Sequence, residues 1–135
     1  MSEVKVDTLT GKTTANDISV TVGATATMSL KQGLAKAWSN YNQFTGPSVR
    51  KSFNTTSISD VSTGYSQVNL TNSMSDTDYI CIATNSYDAT PNNNQVGLDE
   101  ANANTSSQAL HGTGNYGGGM VDTQYSQLVI HGDLA

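Results

Sequence analysis

The run Tyr65-Ser66-Gln67-Val68-Asn69-Leu70-Thr71, entered through the turn residues Ser62-Thr63-Gly64, is the most restrictive stretch of the chain. Its alternation puts Tyr65, Gln67, Asn69 and Thr71 on one side and Ser66, Val68 and Leu70 on the other. A pleated strand satisfies that period and a helix does not. Similar short runs recur between turn signals: a strand through Tyr41, Val49–Phe53 after the Gly46-Pro47 turn, Ser57–Val61, the apolar 79–84, and 124–131 at the end. A polar turn, Asn72 to Asp78, separates two of these runs. Between Met28 and Trp38 the pattern is mixed. Leu30, Leu34 and Trp38 share a helical face, whereas Ala35 to Tyr41 alternates, so a short helix or turn at 29–34 is expected before the strand. Arg50 and Lys51, adjacent in a strand, are expected on opposite faces. Frequent turns between short strands predict an all-β fold, an antiparallel β-sandwich or small barrel, jelly-roll-like, with a short N-terminal strand segment for assembly.

Composition supports that reading. Only 13% of residues are charged, and solubility rests on Ser, Thr, Asn and Gly. Hydroxyl and amide side chains compete with helical backbone bonds, while Thr and Val suit strands. A net charge of −5 with six scattered Lys and Arg offers no phosphate-binding footprint, so nucleic acid is not expected as a partner. No stretch has the length or apolarity of a membrane helix, and the first residues lack a secretory signal, so neither insertion nor signal-directed export is expected.

Two regions are expected, 1–27 and 28–135. In the first, Val4-Lys5-Val6-Asp7-Thr8-Leu9 and Asp17-Ile18-Ser19-Val20-Thr21-Val22 alternate as two short strands. Val4, Val6, Leu9, Ile18, Val20 and Val22 are too few to bury a core, which makes them candidate anchor or assembly residues. In the second, Trp38, Phe53, Val68, Leu70, Ile80, Cys81 and Ile82 are the candidate core or interface residues. Cys81 has no partner for an intrachain disulfide and reads as a packed thiol, without a nearby base to make it a nucleophile.

Several constellations bear on chemistry. Asp76, Asp78, Asp88, Asp99 and Glu100 are the carboxylates from which a paired-carboxylate hydrolase would draw, but Asp76 and Asp78 flank a turn and Asp99-Glu100 reads as a solvated pair. His111 and His131 lack a second ligand at metal spacing, although copies could meet on an oligomer axis. The glycine-rich 112–119 has no Gly-Lys-Ser/Thr ending and reads as a surface loop. Sequons at Asn54, Asn69 and Asn104 read as chance matches. No catalytic residue, metal or cofactor is expected. The remaining candidate is a glycan-binding surface from two loops: Tyr87 with Asn92, Asn93 and Asn94, and Tyr116 with Asn115. Flat rings beside neutral donors and acceptors suit sugars.

The order of Gly33-Leu34-Ala35-Lys36-Ala37-Trp38, Arg50-Lys51-Ser52-Phe53-Asn54, Ile58-Ser59-Asp60, the 65–72 run and Met74-Ser75-Asp76-Thr77-Asp78-Tyr79 resembles modules of bacteriophage tail-fibre and related virion appendage proteins, especially those of marine phages. The start Val4–Leu9 with Gly11-Lys12-Thr13-Thr14, and the closing Ile130-His131-Gly132-Asp133-Leu134, fit the same pattern. The resemblance implies an antiparallel module, usually a homotrimer, located on the virion and contacting other virion proteins of capsid or tail. It implies no catalysis. Because 27 extended residues reach at most roughly 90 Å, a short tail-fibre or surface appendage subunit is expected. A capsid decoration or cement protein and a receptor-binding tip for host glycan are the alternatives.

Overall fold

The interior of this protein is built by residues that alternate along strands, and the alternation is visible in burial. In β3 (Ala37–Asn42) and β6 (Tyr65–Leu70) every second side chain is buried. The computed structural model describes residues 5–12, 18–22, 26–86, 95–97, 104–115 and 118–135. Two compact units divide the chain, Met1–Leu34 and Ala35–Ala135.

In the first unit, β1 (Ser19–Val22) pairs antiparallel with β2 (Ala26–Ser29), and a helical turn α1 (Leu30–Gly33) follows directly. The Leu30 amide donates to the Ile18 carbonyl at 2.7 Å, tying the turn to the hairpin. That bond explains why the unit runs to Leu34 rather than stopping at the expected residue 27. The alternation at Val4–Leu9 does not produce a strand over its described part: Lys5 to Leu9 is irregular and exposed, including Val6 and Leu9. A strand pattern needs a partner strand, and β1 pairs with β2 instead. Ile18 and Val20 are half-buried, and Val22 belongs to β1. Val4 and Asp17 lie outside the described residues.

The second unit is a β-sandwich. Its remaining strands are β4 (Ser48–Phe53), β5 (Thr55–Ser62), β7 (Ile80–Ser86), β8 (Gln95–Gly97), β9 (Gln108–Gly114) and β10 (Tyr125–His131). Together with β3 and β6 they form two antiparallel four-stranded sheets, ordered β4-β3-β10-β7 and β5-β6-β9-β8. The sheets remain open, so the small-barrel alternative does not hold. Nor is the chain a simple meander: β3-β4, β5-β6 and β8-β9 pair within one sheet, while the other connections cross to the opposite one. The last strand, β10, lies inside its sheet between β3 and β7.

Ala37 and Tyr41 of β3, Leu128 and Ile130 of β10, Val68 and Leu70 of β6 and Ala109 of β9 meet between the sheets, with Ile58, Cys81 and Ala83 packed at the margin. Met74 and Tyr79, from the connection after β6, complete this core at one end. The polar turn expected at 72–78 thus hides a core residue. Met74 bridges to Leu134, Ser75 donates to the Asp133 carbonyl, and the Tyr79 hydroxyl donates to the carbonyls of Thr105 and Gln108. Gly132 is required here, since a Cβ would stand 2.7 Å from Tyr79 Cβ and 2.8 Å from Met74 Cε. At the other end Gly64, with φ +79°, closes the β5-β6 hairpin against the Thr113 carbonyl and Met120.

Arg50 and Lys51 do not simply alternate. The pairing of β4 with β3 shifts between Asn40 and Tyr41, so that Lys51 faces Asn40 and Val49 faces Tyr41. The extra residue, Arg50, places its guanidinium 4.6 Å from the Tyr125 ring centre.

Asn54 holds the corner at which the chain leaves one sheet for the other. It has φ 54°, a left-handed conformation that Asn tolerates better than other side-chain-bearing residues. Its amide donates to the carbonyls of Lys36 (3.0 Å) and Asn72 (3.1 Å), and its Oδ1 accepts from the Asn72 backbone (2.7 Å) and side chain (2.9 Å). Asn54→Ala is expected to cost about 2–3 kcal/mol, through these bonds and the left-handed backbone. Asn54→Gly relieves the backbone alone and should recover only part of that loss. Urea midpoints of the two variants check both statements.

Candidate functional site

Three arrangements qualify for scrutiny: a buried polar cluster between the sheets, an apolar row on one outer face, and the residues singled out by the sequence.

The interior is polar in the half away from Met74. Facing Val68 and Leu70 in β6 there are Ala37 and Ile130, but further along the same inward faces come Tyr41, Gln43, Ser66, His111, Thr113 and Ser126, all essentially buried. The Tyr41 hydroxyl lies 2.7 Å from Ser66 Oγ and 2.6 Å from His111 Nδ1, and the Tyr41 and His111 rings meet edge to face. With the imidazole neutral, Tyr41 can donate to Nδ1 while accepting from Ser66. Thr123 Oγ1 and Ser126 Oγ are 2.6 Å apart, and the Gln43 amide donates to the Thr123 carbonyl. His111 Nε2 and both side-chain amide atoms of Gln43 are buried without a hydrogen-bond partner among the described residues.

Serine and histidine within one hydrogen-bonded cluster invite comparison with a nucleophile and its base. The geometry argues against it: Ser66 and His111 each bond the tyrosine between them, and both are closed off from solvent. Burial lowers the His111 pKa from 6.5 to about 4 and raises that of Tyr41 to about 12. The cluster therefore consists of neutral groups near pH 7 and acts as a cross-sheet tie.

The outer face of β4-β3-β10-β7 carries an apolar row. Phe53 stands opposite Trp38, Trp38 opposite Val129, and Val129 opposite Ile82, so one line of large side chains crosses all four strands. Phe53 is 53% exposed, Ile82 57%, and Ile80 beside them 64%. The next row is polar: Lys51, Asn40, Gln127 and Thr84, with Thr84 donating to Gln127. Of the expected core or interface residues, Val68 and Leu70 belong to the core and Cys81 to its margin. Trp38, Phe53 and Ile82 belong to the outer row, and Ile80 stands beside it opposite His131. Burial raises the Cys81 thiol to about 11, which keeps it protonated and unreactive.

Of the expected glycan-binding loops, Tyr87, Asn92, Asn93, Asn94 and Tyr116 lie outside the described residues. Asn115 is described, and its Oδ1 accepts from the Gly119 amide just after β9. Gly112 and Gly114, read as loop, are strand residues of β9. Asp76 accepts from the Asp78 amide within a local turn; Asp88, Asp99 and Glu100 lie outside the described residues. His111 and His131 stand on different sheets, and no three metal-ligating side chains cluster among the described residues. The sequon asparagines use their amides inside the fold: Asn54 at its corner, Asn69 toward Ser57 and Ser59, and Asn104 toward the Leu110 amide.

His111 sets a pH dependence. Its folded pKa lies below its unfolded one, so the unfolded state binds more protons between about pH 4 and 6.5. Stability from this group is fully present above 6.5 and is lost as the pH falls toward 4. The loss amounts to about 3 kcal/mol. His111→Gln should remove this part of the difference between urea midpoints measured at about pH 8 and about pH 4.

No protein-family model, curated protein or solved structure matches this chain.

Proposed function

We propose that this protein is a non-enzymatic structural subunit of a bacteriophage particle, a short tail-fibre or surface appendage that works as a homo-oligomer. The observation that carries the assembly reading is the apolar row Phe53–Trp38–Val129–Ile82. Large apolar side chains aligned across a whole sheet and bordered by a polar row have the make-up of an interface core with its rim. The occupant proposed for this face is another copy of the chain. The phage particle and the stoichiometry of three come from the resemblance of the 30–80 segment to appendage modules.

The N-terminal unit supports a division of labour. Two strands of four residues each are marginal as an isolated hairpin, which suits an anchor that gains order against another virion protein. The buried Ser66–Tyr41–His111 cluster does not favour an enzyme, because Ser66 bonds the tyrosine rather than the imidazole and all three are closed off from solvent.

Light scattering on the purified chain is expected to give three times the 14.2 kDa chain mass at micromolar concentration. Ile82→Lys and Phe53→Ser, both at exposed positions, should each weaken assembly at least about tenfold while leaving the urea midpoint nearly unchanged. A single-chain mass for the unaltered protein would remove the assembly reading.

A further inference from the structure

The outer face of the other sheet differs in kind. Thr56 and Thr71 share a hydroxyl–hydroxyl bond of 3.0 Å there, and Ser57, Ser59, Gln67, Asn69 and Gln108 follow along β5, β6 and β9. Among the described residues of these three strands no charged side chain shares this face: Asp60 stands opposite the inward-facing Ser66. An ordinary solvated face of a small domain is kept soluble by mixed charges.

Asn69 organises the group. Its Nδ2 donates to Ser57 Oγ at 3.0 Å and Ser59 Oγ at 2.9 Å; its Oδ1 accepts from Gln67 Nε2 at 2.8 Å and Gln108 Nε2 at 3.2 Å. A side-chain amide has two donors and two acceptor positions, so Asn69 is saturated and fixed. Its neighbours are oriented in consequence. Ser57 and Ser59 act as acceptors toward Asn69 and keep their O–H groups for another partner. Gln67 and Gln108 act as donors toward it and keep their carbonyl oxygens.

At the end of this array stands Tyr65, opposite Gly112. A Cβ on Gly112 would come within 3.3 Å of Tyr65 Cε1, so the half-buried ring rests on the bare backbone of the adjacent strand and is held there. Tyr65 lies two residues along β6 from Gln67, which Ser59 and the buried Leu110 flank, and four from Asn69, which Ser57 and Gln108 flank. The ring, two hydroxyl donors and two carbonyl acceptors thus line an uncharged strip roughly 13 Å long, which matches an oligosaccharide. The C–H face of the sugar lies on the aromatic, and neighbouring hydroxyls both donate and accept. Pre-set side chains also lose little rotamer freedom on binding.

We propose that this face is a binding site for a neutral glycan, with Tyr65 as the stacking residue, Ser57, Ser59, Gln67 and Gln108 as hydrogen-bonding residues, and Asn69 as the residue that positions them. It uses neither Tyr87 nor Tyr116, and it is independent of the proposed assembly, which uses the opposite sheet.

Saturation-transfer NMR on the full chain, with cellohexaose, maltohexaose, mannohexaose and N-acetylchitohexaose as probes, tests the site. At least one is expected to receive saturation, with an affinity that falls about tenfold in Tyr65→Ala and in Gln67→Ala. Phe53→Ser, on the other sheet, should bind like the unaltered chain. Gln67 is half-buried at the surface, so its variant remains informative if Tyr65→Ala fails to fold. Two results would overturn the proposal: no transfer to any of the four sugars at millimolar concentration, or transfer that is equal in the unaltered chain and in Gln67→Ala. Neither result bears on the oligomeric mass, so the two proposals fail separately.

Discussion

A hydroxyl group placed in the middle of a sandwich has to find partners there, because leaving it unpaired away from water costs about 1–3 kcal/mol. Tyr41 finds two partners in the opposite sheet, Ser66 on β6 and His111 on β9, and a third, Ser126, beside it on β10. The direction of these bonds fixes which residues of β3 face β6 and β9, something that non-directional apolar contacts leave loose. The arrangement of the interior follows. Apolar packing fills the end around Met74, Tyr79 and Ile130, and hydrogen bonds fill the end around Gln43, Thr113 and Ser126. Such an interior needs fewer large apolar residues, which accommodates a chain with only 36% hydrophobic composition.

How far the fold was legible depended on which face each strand turned inward. β6 was readable because its inward residues Val68 and Leu70 are apolar and its outward ones polar, so pattern and burial agree. β7 misleads. Its apolar run suggested a buried strand, yet Ile80 and Ile82 point outward, and the smaller Cys81 and Ala83 point toward the core. β9 was invisible, because its inward residues Ala109, His111 and Thr113 carry no hydrophobic signal and its outward positions include Gly112 and Gly114. A polar residue can face inward when a partner awaits it across the sheet, and that partner is distant in the chain. His111 and Tyr41 are separated by 70 positions. The tie between them, and the Asn69 array on the other face, arise from pairing registers that no local pattern contains.

The two outer faces show how one architecture separates two surface chemistries. In β4-β3-β10-β7 the outward positions bring large apolar side chains into line across four strands. In β5-β6-β9 they bring amides and hydroxyls into line across three, and the shared donors and acceptors stiffen them. Register performs the sorting: a slip of one residue in either sheet would exchange inward and outward sets and ruin core and surface together. The bulge at Arg50 absorbs the one place where β4 has a residue too many, and it does so at a sheet edge, where pairing would otherwise remain open to other chains.

The central place of β10 has a consequence for how the molecule comes into being. Residues 125–131 lie between β3 and β7, so those two strands have no common partner until the late part of the chain has left the ribosome. During synthesis the β3-β4 hairpin and β7 wait as separate pieces, and their closure depends on contacts spanning most of the sequence, a topology that folds slowly. A chain interrupted before β10 would leave that sheet split, and the row that joins Trp38 to Ile82 through Val129 would not exist. The apolar row is thus complete only once β10 has taken its place between β3 and β7.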